Sequence, residues 1–202
     1  MLRDMKLADF IESVAAKTST PGGGSVAAAA SAMGTALGIM AARFSEGPKA
    51  QEIASALEEL KGKILPFIDR DAEAYSQVSQ AYGLPKKTDE EKARRKEAIQ
   101  IALKEAADVP LEGMRLALQG LRALPALFEV VNKNLASDFA GAVLLLEAGL
   151  IGCGLNVRIN ASLMADKERR SRLEKEAGQL EKEGADLRSR LLGAVSQLYA
   201  KA

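Results

Sequence analysis

The sequence predicts an all-α fold, an up-and-down helical bundle with long helices. Helix-forming Ala, Leu, Glu and Lys run through most of its 202 residues. No long stretch alternates apolar and polar residues with the period of two that a half-buried strand requires. Apolar residues make up 48% of the chain, which is enough to build a buried core without disulfides. We therefore expect a single helical domain over residues 1–202.

The composition excludes several classes of site. The chain has no His, so His-ligated metals and serine–histidine catalysis are ruled out. Its only Cys, Cys153, precludes an internal disulfide and is interpreted as a small buried hydrophobe. A net charge of +1 and an aromatic content of 4% offer nucleic acid neither a basic field nor a stacking surface. We expect no metal and no nucleic-acid partner, and any catalysis must use carboxylates, Lys, amides, hydroxyls or backbone N–H groups.

An amphipathic first helix is predicted over residues 7–17. Its apolar face carries Leu7, Phe10, Ile11 and Val14. Residues 18–24 form a loop rich in helix breakers. Residues 1–9 carry charges of both signs and lack the apolar segment of a signal peptide, which predicts a cytoplasmic protein.

The second helix, from about Ser25 to Ser45, is unusually apolar. Residues 22–42 contain no charged side chain, which raises the question of a membrane span. The segment is mostly Ala, Gly, Ser and Thr, too weakly apolar for insertion, so we expect a central helix and no membrane. Small residues such as Gly34 and Gly38 would let a neighbouring backbone come close, either within the domain or across a homodimer.

Proline and glycine punctuate the middle of the chain. Pro48 opens a third helix that should reach about Tyr82, with a kink or break at Pro66. Residues 83–85, Gly-Leu-Pro, end it.

A capping box starts the fourth helix. Thr88 and Glu91 have the spacing in which each side chain bonds the backbone N–H of the other. Pro110 and Pro125 punctuate the helical stretch that follows, to about Val131.

Two more helices complete the predicted bundle. Ser137 is predicted to cap an apolar helix that reaches about Ile159. The last helix should span about residues 166–200, and its apolar positions are spaced alternately four and three apart, as in a coiled-coil seam. We expect this seam to pack along the bundle, with a dimer contact as the alternative. It consists of Leu173, Ala177, Leu180, Gly184, Leu187, Leu191, Ala194 and Leu198.

The segment Thr20–Ser25 does not suit a plain bundle. Three successive Gly residues cost backbone entropy and add nothing to a core. They would let a ligand approach the backbone, and the N-terminus of the next helix presents free N–H groups to an anion. A flexible turn is the alternative. No Gly-Lys-Ser/Thr follows and no strand precedes, which excludes Walker and Rossmann loops.

A second unusual segment, residues 132–138, lies between two apolar helices. It concentrates amides, a cation, a hydroxyl and a carboxylate, in Asn132, Lys133, Asn134, Ser137 and Asp138. The pattern alone favours a capped interhelical loop over a site, because Ser and Asp suit a helix start.

Two other polar groups stand out. Asn156 and Asn160 lie one turn apart on one face of an apolar helix, so their amides either satisfy each other or face a pocket. Asp69, Asp71 and Glu73 form an acidic cluster, for which a solvated face is the default interpretation.

Several segments together resemble the formiminotransferase-cyclodeaminase C-terminal family. The similar segments follow one another in order along nearly the whole chain. They are Thr20–Ala29, Asp71–Tyr75, Gly83–Thr88 with the Glu-Glu-Lys that follows, Ala107–Leu111, Asn132–Asp138 and Asn156–Asn160.

The resemblance implies an all-helical fold, at least a homodimer, a folate pocket and one of two activities. A methenyltetrahydrofolate cyclohydrolase opens the methenyl bridge with water to give formyltetrahydrofolate. A formiminotetrahydrofolate cyclodeaminase closes that bridge and expels ammonia. The chain begins at the cyclodeaminase-like region, without a formiminotransferase domain, which favours the cyclohydrolase, with the cyclodeaminase as the alternative. A non-catalytic dimeric helical adaptor is the alternative from another class, although it explains neither the Gly run nor residues 132–138.

The resemblance also suggests roles for the unusual residues. In the absence of His, a carboxylate would stabilise the cationic bridge and take a proton from water, with Asp138 the first candidate and Asp71 the second. Lys133 would relay a proton or bind the glutamate tail of the folate. Asp138→Asn is predicted to lower turnover by about 100-fold to 10,000-fold with little effect on binding. No cofactor beyond the tetrahydrofolate substrate is expected. The predicted substrate-binding residues are Pro21, Gly22, Gly23, Gly24, Ser25, Asn132, Asn134, Ser137, Asn156 and Asn160.

Overall fold

The computed structural model describes residues 1–199, with the side chains of residues 1–197, and over that range it contains helices and no strand. The predicted all-α class is therefore confirmed. The predicted end of the last helix at residue 200 and the side chain of Leu198 lie outside the described residues. The α-helices are α1 (Leu7–Ala15), α2 (Gly23–Arg43), α3 (Pro48–Ile64), α4 (Phe67–Gly83), α5 (Asp89–Phe128), α6 (Ala136–Ser162) and α7 (Lys167–Tyr199), with 3₁₀ turns at Leu2–Asp4 and Lys133–Leu135.

Two predicted boundaries are confirmed. The third helical stretch breaks around Pro66, since α3 ends at Ile64 and α4 begins at Phe67. The capping box of α5 is present: the Thr88 hydroxyl accepts from the Glu91 N–H at 3.2 Å, and the Glu91 carboxylate accepts from the Thr88 N–H at 3.1 Å.

The prolines of α5 do not end the helix, which continues through Pro110 and Pro125 to Phe128. A proline inside a helix leaves the carbonyl four residues earlier without its N–H partner. For Pro110 that carbonyl belongs to Ala106, and the Asn160 Nδ2 group of α6 donates to it at 2.7 Å. A side chain of a neighbouring helix thus supplies the donor that Pro110 lacks.

The predicted cap of α6 is wrong. The helix begins at Ala136, so Ser137 lies within its first turn, and the N-cap residue, Leu135, makes no side-chain capping bond. The reason is the 3₁₀ turn, which runs directly into α6 and moves the helix start ahead of Ser137. The turn is itself capped by Asn132, whose Oδ1 accepts from the Asn134 N–H at 3.0 Å.

Helix α6 lies at the centre of the bundle and packs against α2, α5 and α7. Small residues bring α2 and α6 close together: a Cβ on Gly34 would lie 2.8 Å from the backbone nitrogen of Leu146, and one on Gly149 would lie 2.7 Å from the Ala27 carbonyl. This confirms that the small residues permit close backbone approach, and places that contact within the domain.

The seam of α7 packs along the bundle as predicted. Leu173, Ala177, Leu187 and Leu191 are buried, and Gly184 lies against Leu150 of α6. Cys153 is also buried, as expected of a small hydrophobe.

One side of the α2–α6 pair stays uncovered. We call it the open face and define it by the exposed residues Val26 and Met33 of α2 and Leu144, Ile151, Leu155 and Ile159 of α6. Helix α1 lies beside it across an apolar groove of about 510 Å³, with Leu7 and Ile11 largely exposed. By length and hydropathy alone, α2 and the Lys133–Ser162 segment would be able to cross a membrane.

Candidate active site

A cavity of about 540 Å³ lies where α2 begins and α6 ends, with α4 as its third wall. It brings together residues that the sequence singled out in three distant segments. The loop before α2 contributes backbone, α4 a carboxylate and aromatic rings, and α6 two amides. The lining residues are Ser19, Thr20, Gly22, Gly23, Asp71, Tyr75, Val78, Ser79, Tyr82, Ala106, Asn156, Ile159, Asn160 and Leu163.

The Asp71 carboxylate is held at the N-terminus of α2. Its Oδ2 accepts from the Ser25 backbone N–H at 2.9 Å and from the Ser25 hydroxyl at 3.2 Å. The N-cap residue of α2, Gly22, makes no side-chain capping bond, so a side chain from α4 satisfies this helix end. The helix dipole also favours a negative charge at this position.

The glycine run has a steric purpose here. A Cβ on Gly24 would overlap the carboxylate of Asp71, and only a residue without Cβ allows this approach. Gly23 lies beside the Asn156 amide, since a Cβ there would be 3.5 Å from its Nδ2. The flexible-turn interpretation of residues 20–25 is therefore incomplete, because the glycines shape the cavity wall.

Burial raises the pKa of Asp71 above the ordinary value of a carboxyl group, although the two hydrogen bonds from Ser25 oppose the shift. A raised carboxyl pKa is favourable for a group that accepts and returns a proton near neutral pH. Next to it, burial and the charge of Asp71 raise the pKa of the Cys153 thiol to about 12. Cys153 is therefore an inert thiol and not a nucleophile.

The three acidic residues of α4 have three different environments. Asp69 is buried, accepts from the Leu2 N–H and lies 3.5 Å from the Arg3 guanidinium. Asp71 lines the cavity, and Glu73 is exposed. The expectation of a solvated face is thus wrong for Asp69 and Asp71, because α4 turns successive acidic positions towards the N-terminal segment, the cavity and solvent.

Asn156 and Asn160 do not satisfy each other. The Asn156 amide donates to the Gly152 carbonyl at 2.9 Å, and the Asn160 amide donates to the Ala106 carbonyl. Within the described part of the chain, neither amide oxygen accepts a hydrogen bond. Both side chains line the cavity, so of the two alternatives the pocket-facing one is confirmed.

Sequence reasoning missed the aromatic wall of the cavity. Tyr75, Val78, Ser79 and Tyr82 line it from α4 and follow Asp71 at four, seven, eight and eleven positions. This spacing is one helical face, and the two tyrosines are about half exposed, at 45% and 44%. This helical spacing is present in the sequence, but it indicates a ligand-binding surface only once Asp71 is known to face a cavity.

The remaining predicted binding residues at this end support the wall without lining it. Pro21 is buried and joined to Thr20 by a cis peptide bond. Gly24 and Ser25 are buried behind the Asp71 carboxylate.

The segment of residues 132–138 lies at the opposite end of the α2–α6 pair. The Asn132 N–H donates to the Ser45 hydroxyl at 2.9 Å, just beyond the C-terminus of α2. Asp138 and Asn156 lie about 27 Å apart along α6, at about 1.5 Å per residue. Within one protomer, the predicted site residues of this segment therefore do not join the cavity. They are Asn132, Lys133, Asn134, Ser137 and Asp138.

The chain is similar to several known proteins. Residues 6–179 match the formiminotransferase-cyclodeaminase family. A methenyltetrahydrofolate cyclohydrolase from Methylorubrum extorquens is 39% identical over 78% of this chain and 80% of its own length.

Two further relatives are cyclodeaminases. The mouse formimidoyltransferase-cyclodeaminase is 35% identical over 82% of this chain, which spans 32% of that longer protein. The crystal structure of formiminotetrahydrofolate cyclodeaminase from Thermotoga maritima superposes with a TM-score of 0.86 at 30% identity, covering 98% of this chain and 100% of that one. The chain therefore belongs to the formiminotransferase-cyclodeaminase family.

Proposed function

We propose that this protein is a methenyltetrahydrofolate cyclohydrolase and that Asp71 is its acid–base residue. The observation that carries the proposal is the Asp71 carboxylate, which is fixed by Ser25 in a cavity of suitable size with a raised pKa. The relative from Methylorubrum extorquens, which matches over most of both chains, supports the choice of reaction. A non-catalytic adaptor would need neither the cavity nor a carboxylate held this way.

The reaction needs a group that tolerates a cation and accepts a proton. The methenyl bridge is an amidinium, and a carboxylate beside it stabilises its positive charge. Water adds to the bridging carbon, and its proton passes to Asp71. The resulting tetrahedral carbon then breaks one bond to a folate nitrogen, and Asp71 returns the proton to that nitrogen. The hydroxyl on the same carbon becomes the formyl C=O as its proton is released to solvent. Formyltetrahydrofolate leaves, and Asp71 is again ionised.

The other cavity residues suit a folate. The rings of Tyr75 and Tyr82 offer aromatic surface to the flat pterin. The amide oxygens of Asn156 and Asn160 lie at the cavity without a protein donor among the described residues, and they would accept from the N–H groups of the pterin. We propose no cofactor beyond the tetrahydrofolate substrate and no metal, so treatment with a chelator should leave turnover unchanged.

Cyclodeaminase activity is the second candidate, and the similarity to the Thermotoga maritima cyclodeaminase over the whole of both chains favours it. In that reaction a folate nitrogen attacks the formimino carbon and ammonia leaves, so Asp71 would protonate the departing nitrogen of the same kind of tetrahedral carbon. The purified protein should be assayed with methenyltetrahydrofolate and, separately, with formiminotetrahydrofolate while ammonia is measured. Hydrolysis of the first without ammonia release from the second is the result expected of a cyclohydrolase.

We further propose a cytoplasmic homodimer that buries the open face. An uncharged surface with several half-exposed large apolar side chains is more than a soluble monomer usually exposes. Light scattering at micromolar concentration should give twice the mass of 21.4 kDa. A monomer would contradict the assembly without affecting the proposed reaction.

A further inference from the structure

We infer that Pro110 is a positioning residue of the active site, which fixes the Asn160 side chain with its amide oxygen towards the ligand. Pro110 is buried in α5 and does not itself line the cavity. The inference rests on the proposed function, because it concerns how the same cavity recognises the N–H groups of a folate. It gives a residue outside the cavity a defined part in substrate binding.

The backbone of α5 creates an unpaired acceptor in the cavity wall. In a continuous helix the N–H of each residue donates to the carbonyl four positions earlier, but a proline has no N–H. Pro110 therefore leaves the Ala106 carbonyl without its helical donor. Ala106 lines the cavity and is 5% exposed. The Asn160 Nδ2 group donates to this carbonyl at 2.7 Å, so the acceptor and the side chain that satisfies it belong to the same wall.

This hydrogen bond decides which end of the Asn160 amide is free. A side-chain amide donates through its nitrogen and accepts through its oxygen. If the amide turned over, its oxygen would face the Ala106 carbonyl, and two acceptors would meet without a hydrogen between them. Leaving a buried carbonyl unsatisfied in this way disfavours the turned amide by about 5-fold to 150-fold. The oxygen is therefore held ready for a ligand, and no described residue donates to it.

Asn156 has the same orientation for a different reason. Its Nδ2 group donates at 2.9 Å to the Gly152 carbonyl, four residues earlier in α6. That carbonyl lies inside a continuous helix, whose backbone already provides it with a donor. No unpaired acceptor depends on Asn156, so Pro110 controls only one of the two amides. This difference allows the two amides to be separated by experiment.

The second proline inside α5 provides a matched control. Pro125 leaves the Leu121 carbonyl without its helical donor, and no side chain of the described residues donates to that carbonyl. Leu121 lies in the core, about 22 Å along α5 from Ala106 at 1.5 Å per residue. Pro125 does not line the cavity either. Pro125→Ala therefore makes the same chemical change in the same helix, away from the site.

A fixed acceptor makes the cavity wall selective for ligand donors. The pterin of tetrahydrofolate carries several N–H groups along its edge, and each needs an acceptor when it leaves water. A side chain that is already held in its binding orientation loses little rotamer freedom when the ligand arrives, and this preorganisation raises affinity. The contribution of Pro110 is therefore to binding, whereas Asp71 carries the proton transfer.

Calorimetric binding of tetrahydrofolate, which has no one-carbon bridge to hydrolyse, tests this role. In Pro110→Ala the new backbone N–H supplies the Ala106 carbonyl, so the Asn160 amide is released and the ligand must order it. Affinity should fall by about 2-fold to 10-fold, and with methenyltetrahydrofolate the loss should appear in KM rather than in kcat. Pro125→Ala should bind as wild type does. Equal affinities of the two proline variants would overturn the inference, as would a loss confined to kcat.

A double-mutant cycle separates positioning from a change in the shape of α5. Removing a proline also removes any kink that it imposes on the helix, and a straighter α5 would weaken binding whatever residue stood at position 160. If Pro110 acts through Asn160, then Pro110→Ala has no further effect on affinity in the Asn160→Ala background. It keeps its full effect in the Asn156→Ala background. The same loss in both backgrounds would overturn the inference.

The remaining outcomes are also decisive. If Asn160→Ala is too unstable for calorimetry, the comparison of Pro110→Ala with Pro125→Ala and the division of the effect between KM and kcat still test the role. A wild-type protein that binds tetrahydrofolate no better than Pro110→Ala refutes the inference alone. A wild-type protein that binds no tetrahydrofolate and is inactive on both folate substrates refutes the proposed function instead.

Discussion

The two ends of the α2–α6 pair are both rich in polar residues, but only one of them encloses a cavity. At the end where α2 begins, Asp71 is shielded from water and held by two hydrogen bonds. At the other end, Asp138 and Lys133 are at least partly exposed and have no hydrogen-bonding or ionic partner among the described residues. The denser polar cluster of the sequence is thus the less enclosed one. Catalytic chemistry in a protomer follows from burial and from a cavity, and the local density of polar residues does not measure either.

Apart from replacement of Asp71 itself, the largest effect on this contrast is expected from Gly24→Ala. The added Cβ would overlap the Asp71 carboxylate and force it away from Ser25. A misplacement of about 1 Å at a reacting group costs about 100-fold in turnover. Steady-state kinetics should show this loss, whereas Gly62→Ala, at a helical glycine with open space around its Cβ position, should leave turnover unchanged. Equal activity of the two variants would show that the Asp71–Ser25 contact does not matter for the reaction.

A smaller effect is expected from the contact between Asn160 and the carbonyl that Pro110 leaves without a donor. Removing the amide in Asn160→Ala leaves the partly buried Ala106 carbonyl unsatisfied, which costs about 1–3 kcal/mol of unfolding free energy. In the Pro110→Ala background, the new backbone N–H supplies that carbonyl, and the cost of Asn160→Ala should fall. A double-mutant cycle by denaturant unfolding measures the coupling, and simple additivity would contradict this account of the proline.

The smallest effect is a pH-dependence of stability. Burial raises the pKa of Asp71 in the folded state, so between its ordinary and its raised pKa the folded chain binds the proton more strongly than the unfolded chain. The free energy of unfolding should therefore lose a contribution as pH rises through this window and level off above the raised pKa. Asp71→Asn removes that contribution, so unfolding curves at several pH values should show the variant gaining stability relative to wild type as pH rises. Relative destabilisation of the variant over the same range would contradict the sign.

Most of the fold was predictable from local chemistry. The break at Pro66 and the capping box of Thr88 depend on residues within a few positions of each other, and both are confirmed. The continuity of α5 through Pro110 was not predictable, because the donor that replaces the missing N–H comes from Asn160, far along the chain. The start of α6 was missed for a local reason, since a 3₁₀ turn before Ser137 leaves no distinct sequence signal.

The candidate site was predictable as a set of segments and not as a geometry. The glycine run, Asp71, Asn156 and Asn160 were all identified, but their relative importance depends on how α2, α4 and α6 meet. The proximity of Gly24 to Asp71 is a long-range contact that no spacing encodes. Without it, Asp71 was only the second candidate for the base.

The most direct test of the central claim is the turnover of Asp71→Asn measured together with its binding of methenyltetrahydrofolate. The substitution keeps the shape of the side chain but removes its charge and basicity, and Glu73→Gln makes the same change at an exposed position on the same helix. Turnover of Asp71→Asn should fall by about 100-fold to 10,000-fold, with substrate affinity within a few-fold of wild type by calorimetry, while Glu73→Gln keeps both. Near-normal turnover of Asp71→Asn would contradict the account and return the role of the base to another carboxylate.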